Sequence, residues 1–505
     1  MAKKYFLLLV AFFALYGTCI AEDIYIAQTA AGNNNMSSCA NAQSISWLNT
    51  SGNWGAGAGK VSAGDTVHLC GTFTTALTVQ GSGSNGSPIT ILFEYGAKFS
   101  TAYFPNTGAI GGAGKSYIVV DGGTNGIIEN TNNGSAGSYT NQQSSAGAVF
   151  TTASNIEVKN LSILNMYVRT VATDYSAQAF ANVASIYMTG GSNLSIHDCI
   201  MTYGSRFVTM NYIGAASNYS FYNNTITHGN GALWSGNLSA NSTLDGLYIY
   251  NNTMNLGPYW SFPSGEQWHG EFLHPHTQGG ANSYIHNMKI YNNTFGPQVP
   301  MKTDVAASAT TAWIFDEAKG DNHWIYNNLL IADPGYDATD GLINRSGSAV
   351  GTGMKIYNNT IVKLGSQGKN AITIGYPGDT DLEIKNNLIK NMQHGVFTPS
   401  TLGIISKNQI AYNVYYGVSN WGVFTSWASW KAAGYDPNSS NGVLPSLDAN
   451  YVPIASDTVA KDKGVMLPSY FTTDKNSNPR PRGYGWDIGA YAYPYPEPPR
   501  NLSIQ

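Results

Sequence analysis

The sequence predicts an all-β solenoid, a single-stranded parallel β-helix with an N-terminal cap and a C-terminal closing segment. A short segment centred on two asparagines recurs through the middle of the 505-residue chain, and apolar and polar residues alternate around it with the period of a strand. Charged residues make up only 11% of the chain, while 56 residues are glycine. A solenoid grows along one axis, so this length does not require several globular domains.

The repeated segment has the pattern apolar, Tyr or Lys, Asn, Asn, Thr or Leu, apolar. Its clear copies are residues 221–226, 249–254, 290–295, 325–330, 356–361 and 384–389. Their unequal spacing indicates one coil per copy, with loops of different length between the strands. Successive coils of such a helix stack about 4.8 Å apart.

Stacking of the coils places the second asparagine of each copy in one column. With two weaker copies included, the predicted column consists of Asp198, Asn224, Asn252, Asn293, Asn328, Asn359, Asn387 and Asn408. A stacked amide donates and accepts hydrogen bonds along the column. It therefore pairs turn backbone groups that would otherwise be buried without partners.

The first residues have the pattern of a secretory signal peptide, residues 1–21. A basic start precedes an apolar run over residues 5–15, and small residues stand near the cleavage position after Ala21. The run is too short to span a bilayer, and no later stretch is apolar enough to do so. We therefore expect a secreted or cell-surface protein beginning at Glu22. A periplasmic location and lipidation of Cys19 are the alternatives.

The net charge and the cysteine content indicate which partners and which cellular compartment to expect. The formal net charge is −4, and without a basic surplus we expect no nucleic-acid partner. Cys39 and Cys70 bracket the N-terminal segment, and we expect them to pair in an oxidising compartment, closing a loop worth roughly 3–4 kcal/mol. Cys199 lies in a strand pattern, where a small buried apolar side chain is expected rather than a nucleophile.

The repeats and short motifs at both ends resemble the pectin-lyase-like right-handed parallel β-helix superfamily. Residues 64–67 and 86–91 are similar to the N-terminal segment of its secreted bacterial members, and residues 430–436 and 480–491 to their closing segment. The resemblance implies a right-handed helix, but it selects no activity, since the superfamily includes lyases, hydrolases, esterases and non-catalytic adhesins. The implied organisation is a signal peptide 1–21, cap and first coils 22–98, β-helix repeats 99–426, closing segment 427–493 and Pro-rich tail 494–505.

A candidate site emerges when the strands before four consecutive turns are aligned. Their apolar pairs, residues 272–273, 314–315, 342–343 and 371–372, are placed in the core, so that the residues after them face outward. This alignment makes neighbours of His274 or His276, Asp316 or Glu317, and Arg345. It puts His274 and Arg345 about 10 Å apart. A one-residue error would turn a side chain inward.

Composition indicates the same part of the chain. Residues 258–280 lie in the longest insertion between copies, and their aromatic and ionisable side chains include Trp260, Trp268, His269, Glu271, His274 and His276. Function concentrates in such loops when they are held on a rigid scaffold. The two tryptophans are expected to stack on sugar faces, with Lys302, Asp316 and Lys319 as further groove residues.

A long polar groove suits an extended polymer, so the predicted partner is a polysaccharide. The leading hypothesis is a lyase that cleaves an acidic glycan by β-elimination. His274 would remove the proton, while Arg345 with Lys302 or Lys319 would neutralise the uronate carboxylate.

Two other functions are left open. A glycoside hydrolase would use Glu271 with Asp316 or Glu317 as the two carboxylates that flank the glycosidic bond. A non-catalytic glycan-binding, adhesion or surface structural protein would need no such pair.

No cofactor is predicted with a defined site. The histidine spacing does not match a zinc motif, and no feature calls for a redox cofactor. Calcium is left open because carboxylate oxygens suit it, and the carboxylates in question are those of Asp333, Asp337 and Asp340. We expect a monomer.

Overall fold

The computed structural model is a right-handed parallel β-helix formed by one chain. It describes residues 21–132, 144–166, 184–256, 271–277, 282–298, 310–334, 338–345, 351–375, 379–398, 405–480 and 485–494. Strands of successive coils pair in parallel, as Ala215–Tyr222 does with Thr243–Tyr250. They form three faces, called sheets 1, 2 and 3 in the order in which the chain passes through them.

Sheet 1 carries the repeated segment. In order of pairing its strands are Gln43–Ser44, Asp23–Ala27, Thr66–Cys70, Ile89–Phe93, Ile118–Asp121, Ile156–Lys159, Leu194–His197, Ala215–Tyr222, Thr243–Tyr250, Tyr284–Tyr291, Trp324–Tyr326, Lys355–Tyr357, Glu383–Lys385 and Ile410–Ala411. A short strand, Gly320–Asp321, also pairs with Tyr284–Tyr291.

Sheets 2 and 3 are joined where two long strands, Ile200–Tyr212 and Thr225–Gly236, run through both. The other strands of sheet 2 are Thr72–Phe73, Lys98–Thr101, Ile127–Asn130, Ser162–Leu164, Thr253–Asn255, Thr294–Phe295, Leu329–Ala332, Thr360–Lys363, Leu388–Lys390, Val414–Tyr416 and Ser440–Asn441. The other strands of sheet 3 are Leu77–Thr78, Ile110–Gly111, Ala146–Ala153, Ala184–Gly190, Leu273–His276, Thr310–Asp316, Ala338–Arg345, Gly368–Ile374 and Met392–Phe397.

In the described part of the chain, the helices are short and lie in its N-terminal and C-terminal parts. They are the α-helices Ile45–Leu48 and Trp427–Ala432, with 3-10 turns at Cys39–Asn41, Ser51–Asn53 and Lys407–Gln409. Within the part of the chain that the structure describes, no helix is long and apolar enough to cross a membrane.

The core consists of apolar side chains stacked coil on coil. In sheet 1 the apolar residue that opens each repeated segment is fully buried, as at Ile249, Ile290, Ile325, Ile356 and Ile384. Burying one such side chain stabilises the fold by about 1.5–3 kcal/mol. Because each coil packs only against its neighbours, the core extends with the chain instead of growing in width.

A buried column of asparagine amides runs along the turn between sheets 1 and 2. The Oδ1 of Asn252 accepts hydrogen bonds from both the backbone N–H and the side-chain amide of Asn224, each at 3.0 Å. The same double contact continues through Asn293, Asn328, Asn359, Asn387 and Asn413. The predicted ladder is therefore confirmed from Asn224 to Asn387.

Both ends of the predicted ladder are wrong. Strand pairing places Cys199, not Asp198, beside Asn224, and the N–H of Cys199 donates to the Asn224 side chain at 3.0 Å. At the other end Asn413 is the rung, whereas Asn408 lies in a 3-10 turn. The weak copies lack the Asn-Asn pair, so their alignment was not constrained by the pattern.

The first asparagine of each pair has a different role from the second. Its φ lies between 51° and 59° at Asn223, Asn251, Asn292, Asn327, Asn358 and Asn386. Asparagine adopts this left-handed conformation more readily than other non-glycine residues. The repeat needs two asparagines because one turns the chain and the next forms the ladder.

The closing segment runs back along the flank of the helix and covers this turn. The side-chain amide of Asn358 donates to the carbonyl of Asp487 at 2.9 Å. The guanidinium of Arg480 donates to the side chain of Asn327 at 2.8 Å. These contacts join residues more than a hundred positions apart, so the closing segment cannot pack before the coils form.

The cysteines behave as their sequence positions predict. Cys39 and Cys70 form a disulfide with Cα atoms 5.5 Å apart. Cys199 is free and 1% exposed, and burial raises the pKa of its thiol to about 12. A thiol in this state is a small core side chain and not a nucleophile.

Candidate functional site

Two columns of outward side chains on sheet 3 form the candidate site. The first column contains Tyr187, Thr209, Trp234, His274 and Phe315. The second lies two residues further along each strand and contains Asn211, Gly236, His276 and Glu317. Residues two apart on a strand share a face, so both columns lie on the outer side of sheet 3, where Thr209, His274 and Phe315 are themselves buried.

His274 lies between two carboxylates. Its Nε2 is 3.1 Å from Oε2 of Glu317, and its Nδ1 is 3.9 Å from Oε2 of Glu271. The side chain of Glu317 is 41% exposed, whereas Glu271 is fully buried and His274 is 6% exposed. Glu271 therefore faces the ring from the protein side, and Glu317 approaches it from the solvent side.

His276 packs beside His274 on the same strand. The two ring centroids are 4.8 Å apart, and Nδ1 of His276 is 3.3 Å from the carbonyl oxygen of His274. The ring occupies the space above Gly236, where a Cβ atom would come within 2.3 Å of its Nε2. Burial lowers the pKa of His276 to about 4, so this ring is neutral at neutral pH.

Trp234 and Arg206 complete the cluster, and sequence reasoning missed both. The Trp234 ring meets His274 edge-on with centroids 4.7 Å apart, and the guanidinium carbon of Arg206 lies 3.6 Å from the Trp234 ring centroid. Burial lowers the pKa of Arg206 to about 10, which leaves it charged at neutral pH. Trp234 could have been found from the sequence, because extending the strand comparison by one coil toward the N-terminus pairs Trp234 with His274.

This arrangement is suited to moving a proton at His274. The Glu317 carboxylate, within hydrogen-bond distance of Nε2, and the Glu271 carboxylate, 3.9 Å from Nδ1, fix the orientation of the ring. The buried Glu271 orients the ring but has no access to a polymer outside. Glu317 has such access.

Two predicted groove residues, Asp316 and Arg345, point inward, so their predicted outward orientation is wrong. Leu273 pairs with Ile314, whereas the comparison of strands within the sequence placed it beside Phe315. Ile314 pairs in turn with Ile343. This one-residue shift turns Phe315 outward and Asp316 inward. Arg345 pairs with Asp316 and is only 1% exposed.

Inside the helix, Arg345 forms part of a buried ionic network. Its Nε donates to the Asp379 carboxylate at 3.1 Å, and its Nη1 donates to the carbonyl oxygens of Ala318 at 2.8 Å and Asp316 at 3.3 Å. Those two carbonyls flank Glu317. The network therefore holds the backbone that presents Glu317 to His274.

Asp316 is the second member of this network. Its Oδ2 lies 2.8 Å from Nδ1 of His323, and its Oδ1 accepts from the N–H of Ala318. Burial opposes ionisation of Asp316, but the charges of His323 and Arg345 outweigh it, so its pKa is lowered. Because Glu271 and Asp316 are both fully buried, the surface pair that a hydrolase would need from them does not form.

Of the five remaining predicted groove residues, the structure describes only Lys319. Trp260, Trp268, His269 and Lys302 lie outside the described residues. Lys319 is half-buried in the turn after Glu317, where its backbone N–H donates to the Thr277 hydroxyl at 3.0 Å.

The described residues contain no group of three or more His, Cys, Asp or Glu side chains placed to hold a metal ion. Of the three carboxylates considered for calcium, Asp337 lies outside the described residues. Asp333 accepts a hydrogen bond from the N–H of Gln298 at 2.7 Å, and burial raises its pKa. Calcium binding stays a prediction.

The sheets and this outward cluster define a parallel β-helix protein with a polar site on one flank. No family model and no curated protein matches the sequence. Among solved structures, the chain is similar to pectate lyase Pel9A, with 12% identity and a TM-score of 0.41 over 94% of this chain and 98% of that chain. It is also similar to the PL6 family alginate lyase AlyGC, with 13% identity and a TM-score of 0.36 over 80% of this chain and 56% of that chain. At these values the activity has to be argued from this chain's own residues.

Proposed function

We propose that the protein binds a polysaccharide along the outer face of sheet 3 and cleaves it by β-elimination at His274. The observation that carries this proposal is the placement of His274 between Glu271 and Glu317, beside the aromatic surface of Trp234. A histidine oriented in this way is suited to accept a proton from a carbon acid. A row of outward side chains along stacked strands suits a polymer lying along the helix.

In the proposed reaction, neutral His274 takes the C5 proton of a uronate unit. The electrons of that C–H bond form the C4–C5 double bond, and the C4–O bond breaks. The departing oxygen takes up a proton from water, and protonated His274 returns its proton to the hydroxide that remains. The carboxylate on C5 must be neutralised for the proton to become acidic. Arg206 carries a positive charge in the cluster, and we propose that Lys319 and Lys302 contribute further charge.

A second function, glycan binding without cleavage, is favoured by a different observation. Arg345 and Asp316 are committed to the buried network, so neither is on the surface. This leaves the described outer face of sheet 3 with few charges for chemistry, while its aromatic side chains remain suited to hold sugar rings.

We further propose that the protein works outside the cytoplasm. The Cys39–Cys70 disulfide is typical of an oxidising compartment, and the start of the chain has the pattern of a signal peptide.

The test is an absorbance assay for unsaturated uronate ends. The chain from residue 22 to residue 505 is incubated with pectate, alginate, glycosaminoglycans and mixed plant and bacterial glycans, with calcium and with a chelator. We expect absorbance to rise with at least one substrate. His274→Ala should lower the rate by a factor of about 10²–10⁴, as for loss of a general base.

The matched control is His286→Ala. His286 also pairs with a carboxylate, with its Nδ1 2.9 Å from Oδ1 of Asp321, but it lies on sheet 1. We expect this variant to keep full activity. A flat trace on every substrate, with glycan binding retained, would replace the lyase with the binding function. Equal losses in the two variants would contradict the placement of the site.

A further inference from the structure

A cavity of about 510 Å³ opens on the outer face of sheet 3, upstream of the His274 cluster. It lies over the rungs Thr78, Gly111, Val149 and Tyr187, which are successive members of the first outward column. Its volume is within the range of small-ligand sites. The described lining of this cavity includes no residue of the His274 cluster and none of the closing segment.

Gly111 lies on the floor of this cavity. A Cβ atom there would come within 2.5 Å of the carbonyl oxygen of Thr107. A turn in which the N–H of Gly108 donates to the carbonyl of Pro105 closes one side. The hollow is therefore part of the fold, because no larger residue fits at its base.

The cavity lining has the chemistry of a site for an uncharged sugar. None of the described residues that line it is charged. Its polar side chains are hydroxyls and an amide, from Thr78, Thr107, Thr151 and Asn106, and Tyr187 adds an aromatic ring. Hydroxyl and amide groups pair with sugar hydroxyls, and the ring packs against the apolar face of a sugar. A uronate carboxylate would be desolvated there without a counter-charge.

The cavity and the His274 cluster lie on one track. From Tyr187 the column passes through Thr209 and Trp234 to His274, each residue paired with the next. Three steps of about 4.8 Å separate Tyr187 from His274 by about 14 Å, close to the length of three sugar units. The two places are therefore aligned along the helix axis, at a spacing that matches a few units of one extended glycan.

We propose that this cavity binds uncharged sugar units of the same glycan chain that reaches His274. The substrate class is then a heteropolysaccharide that mixes neutral sugars with uronic acids, not a homopolymer of uronates. This inference rests on the proposed function for the assignment of the glycan, but the cavity's preference for neutral sugars can be measured without any cleavage.

The experiment measures equilibrium binding to the His274→Ala chain, in which turnover does not interfere. The probes are neutral oligosaccharides (xylose, galactose, mannose and glucose series) and oligogalacturonates and oligoalginates of matched length. We expect a neutral series to bind with little dependence on salt, as for an uncharged ligand. Adding Tyr187→Ala should weaken this binding at least tenfold, and Thr78→Trp, which fills the cavity, should abolish it.

The control is Tyr95→Ala, which removes a tyrosine that is 84% exposed and does not line the cavity; it should change nothing. The circular dichroism spectrum of each variant is first compared with that of the parent chain, to confirm that the fold is unchanged. The inference is overturned if no neutral series binds, or if binding is the same with and without Tyr187. Cleavage of a pure polyuronate without neutral binding would leave the lyase standing and remove the cavity's role. Binding of a neutral series that depends on Tyr187, without cleavage of any glycan, would support the role of the cavity and contradict the lyase function.

Discussion

Replacing Asn293 with alanine tests whether the buried ladder stabilises the helix. The Asn293 side chain accepts from the N–H and the amide of Asn252 at 3.0 Å each, and donates to Asn328 at 3.0 Å and to the carbonyl of Ile249 at 2.9 Å. Alanine removes all four hydrogen bonds from a site that is fully buried. The N–H of Asn252 and the carbonyl of Ile249 then each lose this partner where water does not reach.

The size of the effect follows from those two groups. A buried polar group left without its partner costs about 1–3 kcal/mol, so the free energy of unfolding should fall by about 2–6 kcal/mol. A solenoid of this length need not unfold in one step, so a global midpoint alone is not a sufficient readout. Native-state hydrogen exchange at the coils around Asn252 gives the local value. A loss of about 4 kcal/mol corresponds to exchange roughly a thousand times faster.

Asn282→Ala is the matched control. Its amide also bonds to an asparagine of the neighbouring coil, Asn241, at 3.1 Å, but on the exposed surface. Water replaces that contact, so the change should stay within about 0.5 kcal/mol. If Asn293→Ala accelerated exchange no more than Asn282→Ala, the ladder would contribute nothing measurable and the reasoning would be refuted.

Two further predictions concern the groups beneath and beside the site. Arg345→Met leaves the carboxylates of Asp316 and Asp379 buried without this partner, so the free energy of unfolding should fall by about 3–5 kcal/mol in denaturant titrations; a loss below about 1 kcal/mol would contradict the assigned network. The pKa of His276 is lowered to about 4 by burial, so its imidazole takes up a proton more readily in the unfolded chain. Its contribution to stability should be complete above about pH 6.5 and decline as the pH falls towards 4. Denaturant titrations across this range should show a shallower decline for His276→Gln than for the parent, and identical slopes would be inconsistent with a buried neutral ring.

The candidate site depends on a support that is hidden from solvent. Arg345 holds the carbonyls on either side of Glu317, and Asp316 holds the next N–H in that turn. These residues were expected in the groove, and they instead fix the position of a residue that does face it. Arg345, which was predicted to be catalytic, thus has a structural place, while the guanidinium of Arg206 lies against the Trp234 ring.

The sequence by itself determined the architecture. The Asn-Asn pair predicts it because its two members meet separate requirements, a left-handed turn at the first and a stacked amide at the second. Where the full pair is present, from Asn224 to Asn387, the predicted register is correct. Where a copy has only one asparagine or none, as at Cys199 and Asn413, the pattern no longer selects between adjacent positions.

Only the tertiary structure decided which side chains of sheet 3 face outward. Residues 312–315 are apolar without interruption, because Trp313 and Ile314 fill the core while Phe315 packs against the His274 ring outside it. A strand covered on both faces has no alternation from which its register can be inferred. The pairing of Ile314 with its neighbours settles the register, and a shift of one residue exchanges every inward side chain for an outward one. For that reason the sequence placed His274 and Glu317 close together, as the structure does, but assigned Asp316 and Arg345 to the wrong side of the sheet.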